Sequence, residues 1–312
     1  LEMQRAGLLL GPRSFSTGEI VYGAKAADVY AEINGLDDAL AHVRRLKAQG
    51  AHSVKNYNQP RREQRQQVNE AAFQEGLMSV AEGGALYHQD MSFLADGITG
   101  IEHNVPTMKM YSDVNQFWAQ SGAAYTPTLV VTFGGLTAEN YYYQNTEVWK
   151  HPILSKFVPP TLLRASSVRR IMAPEDEFRD DDAAAAAKQL LDRGINVNIG
   201  AHGQREGLGS HWEIWSFARG GFSPMEALST ATINPARYLK MDADLGSIEK
   251  KKLADLLILN ANPLENIRNT DKISHIMVNG RLYEAKSLKE VHTGESELKP
   301  FYWQGKPESE IF

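Results

Sequence analysis

The stretch that decides the fold is residues 77–106, LMSVAEGGALYHQDMSFLADGITGIEHNVP. It predicts a short apolar strand ending at Glu82, a helix over 86–96, and a second strand ending at Glu102 and His103. In an α/β barrel the active site collects at the C-terminal ends of the strands. Either tip alone is an ordinary acidic turn or helix-capping histidine, but two successive tips with ligand-type side chains predict a site.

Length and composition describe an ordinary folded protein. The chain has 312 residues, of which 42% are hydrophobic and 23% charged, enough for one large domain and a small one. A net charge of −5 gives no reason to expect a nucleic acid partner. The absence of cysteine excludes disulfides and thiolate zinc sites, and it fits a cytoplasmic or an exported protein. No apolar run approaches the roughly 18 residues that a membrane span needs.

The chain outside this stretch also alternates strand and helix patterns. An apolar segment over 8–16 comes first, the predicted helices cover 36–48, 61–75, 111–121 and 181–193, and the predicted strands cover 52–56, 125–132 and 196–200. Residues 133–180 break the alternation, because they are rich in Tyr, Asn, Pro and charge. A segment of that length without a periodic pattern predicts a lid or a substrate-lining insertion.

Beyond Leu239 the pattern changes to that of a small β unit. Residues 255–259 and 273–278 are typical of strands, and Asn279-Gly280 predicts a hairpin turn. The last residues are charged and turn-rich, which is typical of a surface arm. The predicted domains are therefore a barrel over 1–239, a small β portion over 240–285 and an arm over 286–312.

Four motifs point to one family. LGSIE, LADLLIL and NPL within 245–264 are similar to a G-x-(I/L)-x-x-G-K-x-A-D-L signature followed by a D-P-L turn. GIEH at 100–103 matches the tip of a sixth barrel strand, and FSPMEAL at 222–228 with ATINPA at 231–236 matches a helix pair. Together they resemble the amidohydrolase superfamily, especially its imidazolonepropionase-like and prolidase-like members. The resemblance implies an α/β fold, a TIM-type (β/α)8 barrel with a small C-terminal β-sandwich portion.

The resemblance also implies one or two divalent metal ions, usually zinc, at the barrel mouth. Lys55 matches the lysine that becomes carboxylated and bridges two metals, and His103 matches the histidine of strand six. Glu82 stands where strand five usually supplies histidine. His202 stands where strand eight usually supplies an aspartate that is both ligand and base. Both replacements are themselves metal ligands, and His202 could instead be the general base, because imidazole titrates near neutrality.

One part of the family pattern is absent. The first strand of the family carries a His-x-His pair of metal ligands, and this chain contains no His-x-His. The simplest account is that strands one and two lie upstream of Leu1, and the opening LEMQRAG resembles the last turn of a helix already under way. Open strand edges are costly unless they are paired. The expected partners are therefore the missing N-terminal segment or a second copy of the chain.

Four residues are weaker candidates for substrate binding. Arg61 and Arg62, close to Tyr57 on the strand-four loop, could receive a substrate carboxylate in bidentate fashion, although a solvated pair explains them as well. His211 could contact substrate, or it could pack under Trp215 as an ordinary helix N-terminal histidine. The substrate would be a small molecule or a short peptide.

The function implied by the resemblance is metal-dependent hydrolysis of an amide-type C–N bond by a metal-activated water. A dipeptide, an acyl-amino acid and a cyclic amide all fit as substrates. The alternative is a non-catalytic amidohydrolase-like module for binding or assembly that has lost its metal site, and the departures at Glu82 and His202 favour it.

Overall fold

The structure is a computed structural model, which describes residues 2–25, 30–107, 109–294 and 298–305. Its strands are β1 Val21–Tyr22, β2 Ser53–Tyr57, β3 Met78–Glu82, β4 Gly100–Glu102, β5 Ala124–Thr126, β6 Leu256–Leu259, β7 Ile273–Val278 and β8 Arg281–Glu284. Its helices are α1 Glu2–Arg5, α2 Leu36–Ala48, α3 Arg62–Gln74, α4 Tyr87–Ala95, α5 Ser112–Ser121, α6 Glu139–Asn145, α7 Leu154–Phe157, α8 Pro160–Arg164, α9 Asp180–Leu191, α10 Gly209–Arg219, α11 Pro224–Thr230 and α12 Ile233–Tyr238. Short 3-10 turns connect several of them.

Strands β1 to β5 form one parallel sheet in sequence order. Helices α3, α4 and α5 each return the chain from one strand to the next, as parallel neighbours require. Because side chains alternate between the two faces of a strand, Val54 and Ala81 are fully buried on one face, and Val54 belongs to the core that it forms with α2 and α3. Lys55 and Glu82 lie on the opposite face and are partly exposed. The polar face of the sheet is the one that carries the candidate site.

The chain forms two compact units. The first contains Leu1–Thr128 and Ala186–Gly200, and the second contains Leu129–Ala185 and Ala201–Phe312. The parallel sheet belongs to the first unit. The predicted insertion lies in the second, where Tyr142 is fully buried and stacks on Trp212 at a centroid distance of 5.2 Å. The predicted domain boundary at residue 239 is not one of the boundaries between these units.

Two predicted strands differ from the structure. The strand expected over 125–132 ends at Thr126, since Thr128 adopts a left-handed backbone with φ +52° and turns the chain. The strand expected over 196–200 is reduced to a single parallel bridge between Tyr125 and Val197. The apolar segment over 8–16 contains no strand, because Pro12 lacks the N–H that a ladder needs.

The C-terminal prediction of a small β unit is confirmed. Strands β6, β7 and β8 form one antiparallel sheet, and the turn between β7 and β8 has φ +50° at Asn279 and φ +81° at Gly280, as an Asn-Gly hairpin requires. Residues 295–297 and 306–312 of the predicted arm lie outside the described residues. No helix in the described part of the chain has the length and apolar character to cross a membrane.

Candidate active site at the tips of the parallel strands

Three of the four predicted ligands converge at the ends of β2, β3 and β4. The ammonium Nζ of Lys55 lies 2.6 Å from Oε2 of Glu82, and Nε2 of His103 lies 3.7 Å from Oε1 of the same carboxylate. Glu82 therefore stands between a cation and an imidazole. His103 is buried, whereas the side chains of Lys55 and Glu82 keep 33% and 23% of their surface exposed, so that the cluster can be reached from solvent.

The strand register and one glycine bring these tips together. Glu82 pairs with Glu102 across β3 and β4, which places His103 one residue beyond Glu82 at the same rim. The N–H of Gly83 donates to the carbonyl oxygen of Glu102 at 2.7 Å. A Cβ at Gly83 would approach that oxygen to 2.8 Å, so a larger residue would push the two tips apart. The sequence Glu-Gly therefore fixes Glu82 beside His103.

Backbone strain is concentrated at the same rim. Asn58, His103 and Thr128 follow β2, β4 and β5 and have φ values of +46°, +71° and +52°. The left-handed region costs a non-glycine residue roughly 1–2 kcal/mol. The N–H of His103 donates to the carbonyl oxygen of Thr126 at 2.8 Å, which helps to hold this conformation. Strained residues of this kind cluster at functional sites.

Tyr57, predicted as a substrate contact, is part of the cluster. Burial first, and then the adjacent carboxylate of Glu82, raise the pKa of the Tyr57 phenol. Nζ of Lys55 lies 5.0 Å from the centre of the Tyr57 ring. Lys55 and Tyr57 thus both lie beside the carboxylate of Glu82, and the Lys55 cation stabilises its negative charge.

Glu102 is an acid that the sequence analysis did not select as a site residue. It is half-buried on the same face of the sheet as Glu82, and burial raises the pKa of its carboxyl to about 7. The neighbouring Thr126 side chain and the Lys55 cation lower this pKa and so act in the opposite direction. Glu102 can therefore gain or lose a proton near neutral pH. The sequence could have indicated Glu102 as a site residue, because it directly precedes His103 and, by strand alternation, faces away from the buried Ile101.

A second buried acid supports the loop that follows β3. Asp90 in α4 is fully buried, and its Oδ1 accepts a hydrogen bond from the N–H of Gly84 at 3.1 Å. Burial raises the pKa of Asp90 from 3.8 to about 7. The folded state thus binds more protons than the unfolded state between about pH 4 and pH 7, and stability falls as the pH rises through that window.

Asp90→Asn is expected to stabilise the protein more at pH 8 than at pH 5, by up to about 3 kcal/mol. Asparagine keeps an oxygen that can accept from Gly84, and it removes the charge that is buried above about pH 7. Urea unfolding of wild type and variant at the two pH values measures the difference. An equal gain at both pH values would show that charge burial is not the cause.

The predicted arginine contacts have partners within the protein. Nε of Arg61 lies 2.7 Å from Oε1 of Glu63, and Nε of Arg62 lies 2.7 Å from Oδ1 of Asp96. Both guanidinium groups are more than half exposed. These ion pairs give both residues a structural role, and substrate binding by either stays a prediction.

The two remaining candidates, His202 and His211, lie in the second unit. His202 is exposed, has φ +53°, and its Nδ1 lies 3.3 Å from Oε1 of Gln204. Burial lowers the pKa of His211, whose ring lies 6.3 Å from that of Trp215, as the packing alternative expects. The roles of His202 as ligand or base and of His211 as substrate contact stay predictions.

His103 and Glu82 are spaced as two ligands of the divalent metal that the motifs imply would be. The atoms Nε2 of His103 and Oε1 of Glu82 are 3.7 Å apart. Two ligands of a tetrahedral zinc ion, each about 2.1 Å from it, lie roughly 3.4 Å from one another. Among the described residues no group of three or more His, Cys, Asp and Glu side chains is arranged to hold a metal. Lys55 could join Glu82 and His103 only after carboxylation, since its ammonium has no lone pair to offer.

Comparison with known proteins decides the family. The model of the amidohydrolase family matches residues 69–283, well over half of the chain. This chain belongs to the amidohydrolase family. Over 40 residues, 13% of this chain, it is 52% identical to an imidazolonepropionase of Symbiobacterium thermophilum. Over 154 residues, 42% of this chain, it is 26% identical to a 5-methylthioadenosine/S-adenosylhomocysteine deaminase of Thermoanaerobacter pseudethanolicus.

A solved structure supports the fold of this amidohydrolase-family chain. A Xaa-Pro dipeptidase crystallised with methionine in its active site superposes with a TM-score of 0.63 and 21% identity, over 91% of this chain and 71% of that one. Such a similarity shows the fold alone, and it confirms the predicted TIM-type α/β class. The chain spans only 9% of the imidazolonepropionase and 36% of the deaminase.

Proposed function

We propose that this chain carries part of the active site of a hydrolase that cleaves an amide-type C–N bond with a metal-activated water. The observation that carries the proposal is the position of Glu82, within contact distance of both Lys55 and His103 at the strand tips. The family match supports hydrolysis as the reaction class. The chain spans a minor part of its curated relatives, so the activity of the whole protein rests on this proposal.

The residues of this chain would divide the work as follows. Glu82 and His103 would hold a divalent ion, together with Lys55 if it is carboxylated. Such an ion lowers the pKa of a water to near 7 and polarises a scissile carbonyl. Glu102, with a pKa of about 7, can hold or release a proton on the same face.

The bond that is cleaved belongs to a dipeptide, an acyl-amino acid or a cyclic amide. The Xaa-Pro dipeptidase is named for a dipeptide substrate, and the imidazolonepropionase supports a ring substrate. Both classes contain a carbonyl attached to nitrogen, which is the group that the proposed chemistry attacks.

One observation favours the alternative function, a non-catalytic binding or assembly module. Glu82 and Lys55 form a direct ion pair at 2.6 Å, so each satisfies the charge of the other without a metal. A site that had lost its metal would be stabilised in this way. Metal content and turnover of the full-length protein distinguish the two functions.

His103→Ala is expected to remove at least half of the bound zinc, measured by elemental analysis, and to lower amide hydrolysis at least 100-fold. A panel containing a dipeptide, an acyl-amino acid and a cyclic amide measures turnover. His88→Ala is the matched control, because His88 is exposed on α4 and lies outside the cluster. Bound zinc without turnover would indicate a structural metal. If the wild type contained no zinc and hydrolysed no amide, the binding module would be favoured.

A further inference from the structure

A row of polar side chains crosses the parallel sheet at the level of Glu82. The register of β2 and β3, extended by two residues beyond the pair of Lys55 and Val80, sets Tyr57 opposite Glu82. Glu82 pairs with Glu102, and Glu102 pairs with Thr126. Tyr125 bridges to Val197 in parallel, so Thr126 lies opposite Asn198. We call these side chains, all on one face, the polar row: Tyr57, Glu82, Glu102, Thr126 and Asn198.

Asn198 is the member of the polar row whose hydrogen bonds are missing. Its side chain is only 2% exposed, and neither Oδ1 nor Nδ2 has a hydrogen-bond partner among the described residues. Glu82, by contrast, has the ammonium of Lys55 at 2.6 Å. A buried amide without partners is destabilising, and a leucine of similar size would avoid that loss.

The location of Asn198 suits a contact with substrate away from the reacting bond. Neighbouring strands are about 4.8 Å apart, so Asn198 lies about 10 Å from Glu102 and about 14 Å from Glu82 at the backbone. Side chains reach inward from both ends of that distance. A small ligand with its scissile bond at Glu82 would therefore bring its other end to Asn198.

The two unpaired atoms select the kind of group at that end. A carboxamide side chain presents one acceptor oxygen beside a donor NH₂. A substrate carboxylate would satisfy only Nδ2, and an ammonium group would satisfy only Oδ1. A neutral carboxamide, or a cis-amide, presents N–H and C=O on the same side and satisfies both atoms at once.

We propose that Asn198 is a specificity-determining residue that binds a neutral amide group of the substrate, remote from the bond that is cleaved. The proposal rests on the proposed function for the identity of the reacting end. The proposal predicts that the substrates end in a carboxamide rather than a carboxylate.

The test uses the 312-residue chain and two probes that differ in one group, N-acetyl-L-alaninamide and N-acetyl-L-alanine. Ligand-observed NMR titration measures binding without requiring turnover. Wild type is expected to bind the amide at least ten times more tightly than the acid, and Asn198→Leu is expected to reduce that ratio to below three. Where hydrolysis is measurable, the loss is expected in KM for the amide, with kcat changed less than threefold.

The change in Tm on substitution separates a substrate-binding role of Asn198 from a merely structural one, because the loss of a structural role would lower Tm. Asn198→Leu is expected to leave Tm unchanged or raise it, because no hydrogen bond is lost. Asn56→Leu is the matched control: Asn56 is also 2% exposed, but its Nδ2 donates to the Arg65 carbonyl at 3.1 Å and to Asn69 Oδ1 at 2.9 Å. That variant is expected to lower Tm by at least about 4 °C.

Each outcome decides something. If Asn198→Leu lowers Tm as Asn56→Leu does, if the binding ratio does not change, or if wild type binds neither probe, the proposal is overturned. If the ratio collapses in Asn198→Leu while wild type hydrolyses no amide, the proposed hydrolase function fails and Asn198 keeps its assigned role. If wild type hydrolyses amides but Asn198→Leu leaves the amide-to-acid binding ratio unchanged, the hydrolase function stands and the proposed role of Asn198 fails.

Discussion

Asp96→Ala is expected to lower the free energy of unfolding by about 3–5 kcal/mol. The carboxylate of Asp96 is completely buried just after α4 and accepts hydrogen bonds from three side chains of α3. The donors are Arg62 Nε at 2.7 Å, Gln66 Nε2 at 2.8 Å, and both Nε, at 2.7 Å, and Nη2 of Arg65. Its carbonyl oxygen also accepts from Nδ2 of Asn69 at 2.8 Å. This one residue therefore joins α3 to the end of α4.

The size of the effect comes from Arg65. Its side chain is only 8% exposed, and its guanidinium lies 4.6 Å from the centre of the Phe93 ring. Removal of the carboxylate leaves that buried cation without its counter-charge, which costs far more than the loss of a surface pair. Urea unfolding followed by circular dichroism measures the change.

Glu63→Ala is the matched control for this prediction. Glu63 also pairs with an arginine at 2.7 Å, Arg61, but both side chains are more than half exposed. Such a pair contributes less than about 1 kcal/mol. Equal losses in the two variants would mean that burial does not determine the strength of the Asp96 network.

Local patterns were sufficient for the strands and helices that build the site. The helix over 36–48 was predicted with the observed bounds, and the ends of β2, β3 and β4 lie within one residue of their predicted positions. These elements have a period of 2 or 3.6 residues and end at glycines or polar tips, so their signal lies within a dozen residues. The strand over 125–132 ends early because Pro127 lacks the N–H that a ladder needs and Thr128 then turns left-handed, a local signal that the apolar run outweighed.

The site was only partly visible in the sequence because its remaining features depend on distant residues. Strand tips predicted Lys55, Glu82 and His103, but the sequence did not indicate that Glu82 would take Lys55 as an ion-pair partner. Arg62 was a candidate for a substrate carboxylate, whereas its carboxylate partner is Asp96, 34 residues away. Burial decides the charge of Glu102 and Asp90, and burial is a property of the packed chain.

The role proposed for Asn198 also depends on distant residues and could not be predicted from the local sequence. Its neighbours in sequence form an apolar strand pattern, in which an asparagine looks like an ordinary interruption. Only the bridge between Tyr125 and Val197 places it in the row with Glu82 and Glu102. Pairing between strands, which carries the argument for specificity, is not encoded in local periodicity.

Glu82→Gln is expected to lower kcat for amide hydrolysis at least 100-fold. The substitution keeps the size and one acceptor oxygen of the side chain but removes its charge. Lys55 at 2.6 Å then loses its counter-ion, and His103 loses the anion 3.7 Å away. A neutral amide is also a poorer ligand for a divalent ion than a carboxylate. Steady-state kinetics on the most reactive amide of the panel measures the loss.

Glu75→Gln separates this effect from the simple loss of an ion pair. Glu75 lies 3.4 Å from Nζ of Lys47 and 2.7 Å from Arg44, and its side chain is 17% exposed, close to the 23% of Glu82. It lies at the end of α3, not at a strand tip, so its variant is expected to keep full activity. If Glu82→Gln also kept full activity and full zinc content, neither catalysis nor metal binding would depend on the carboxylate between Lys55 and His103. The active site would then have to be sought elsewhere in the protein.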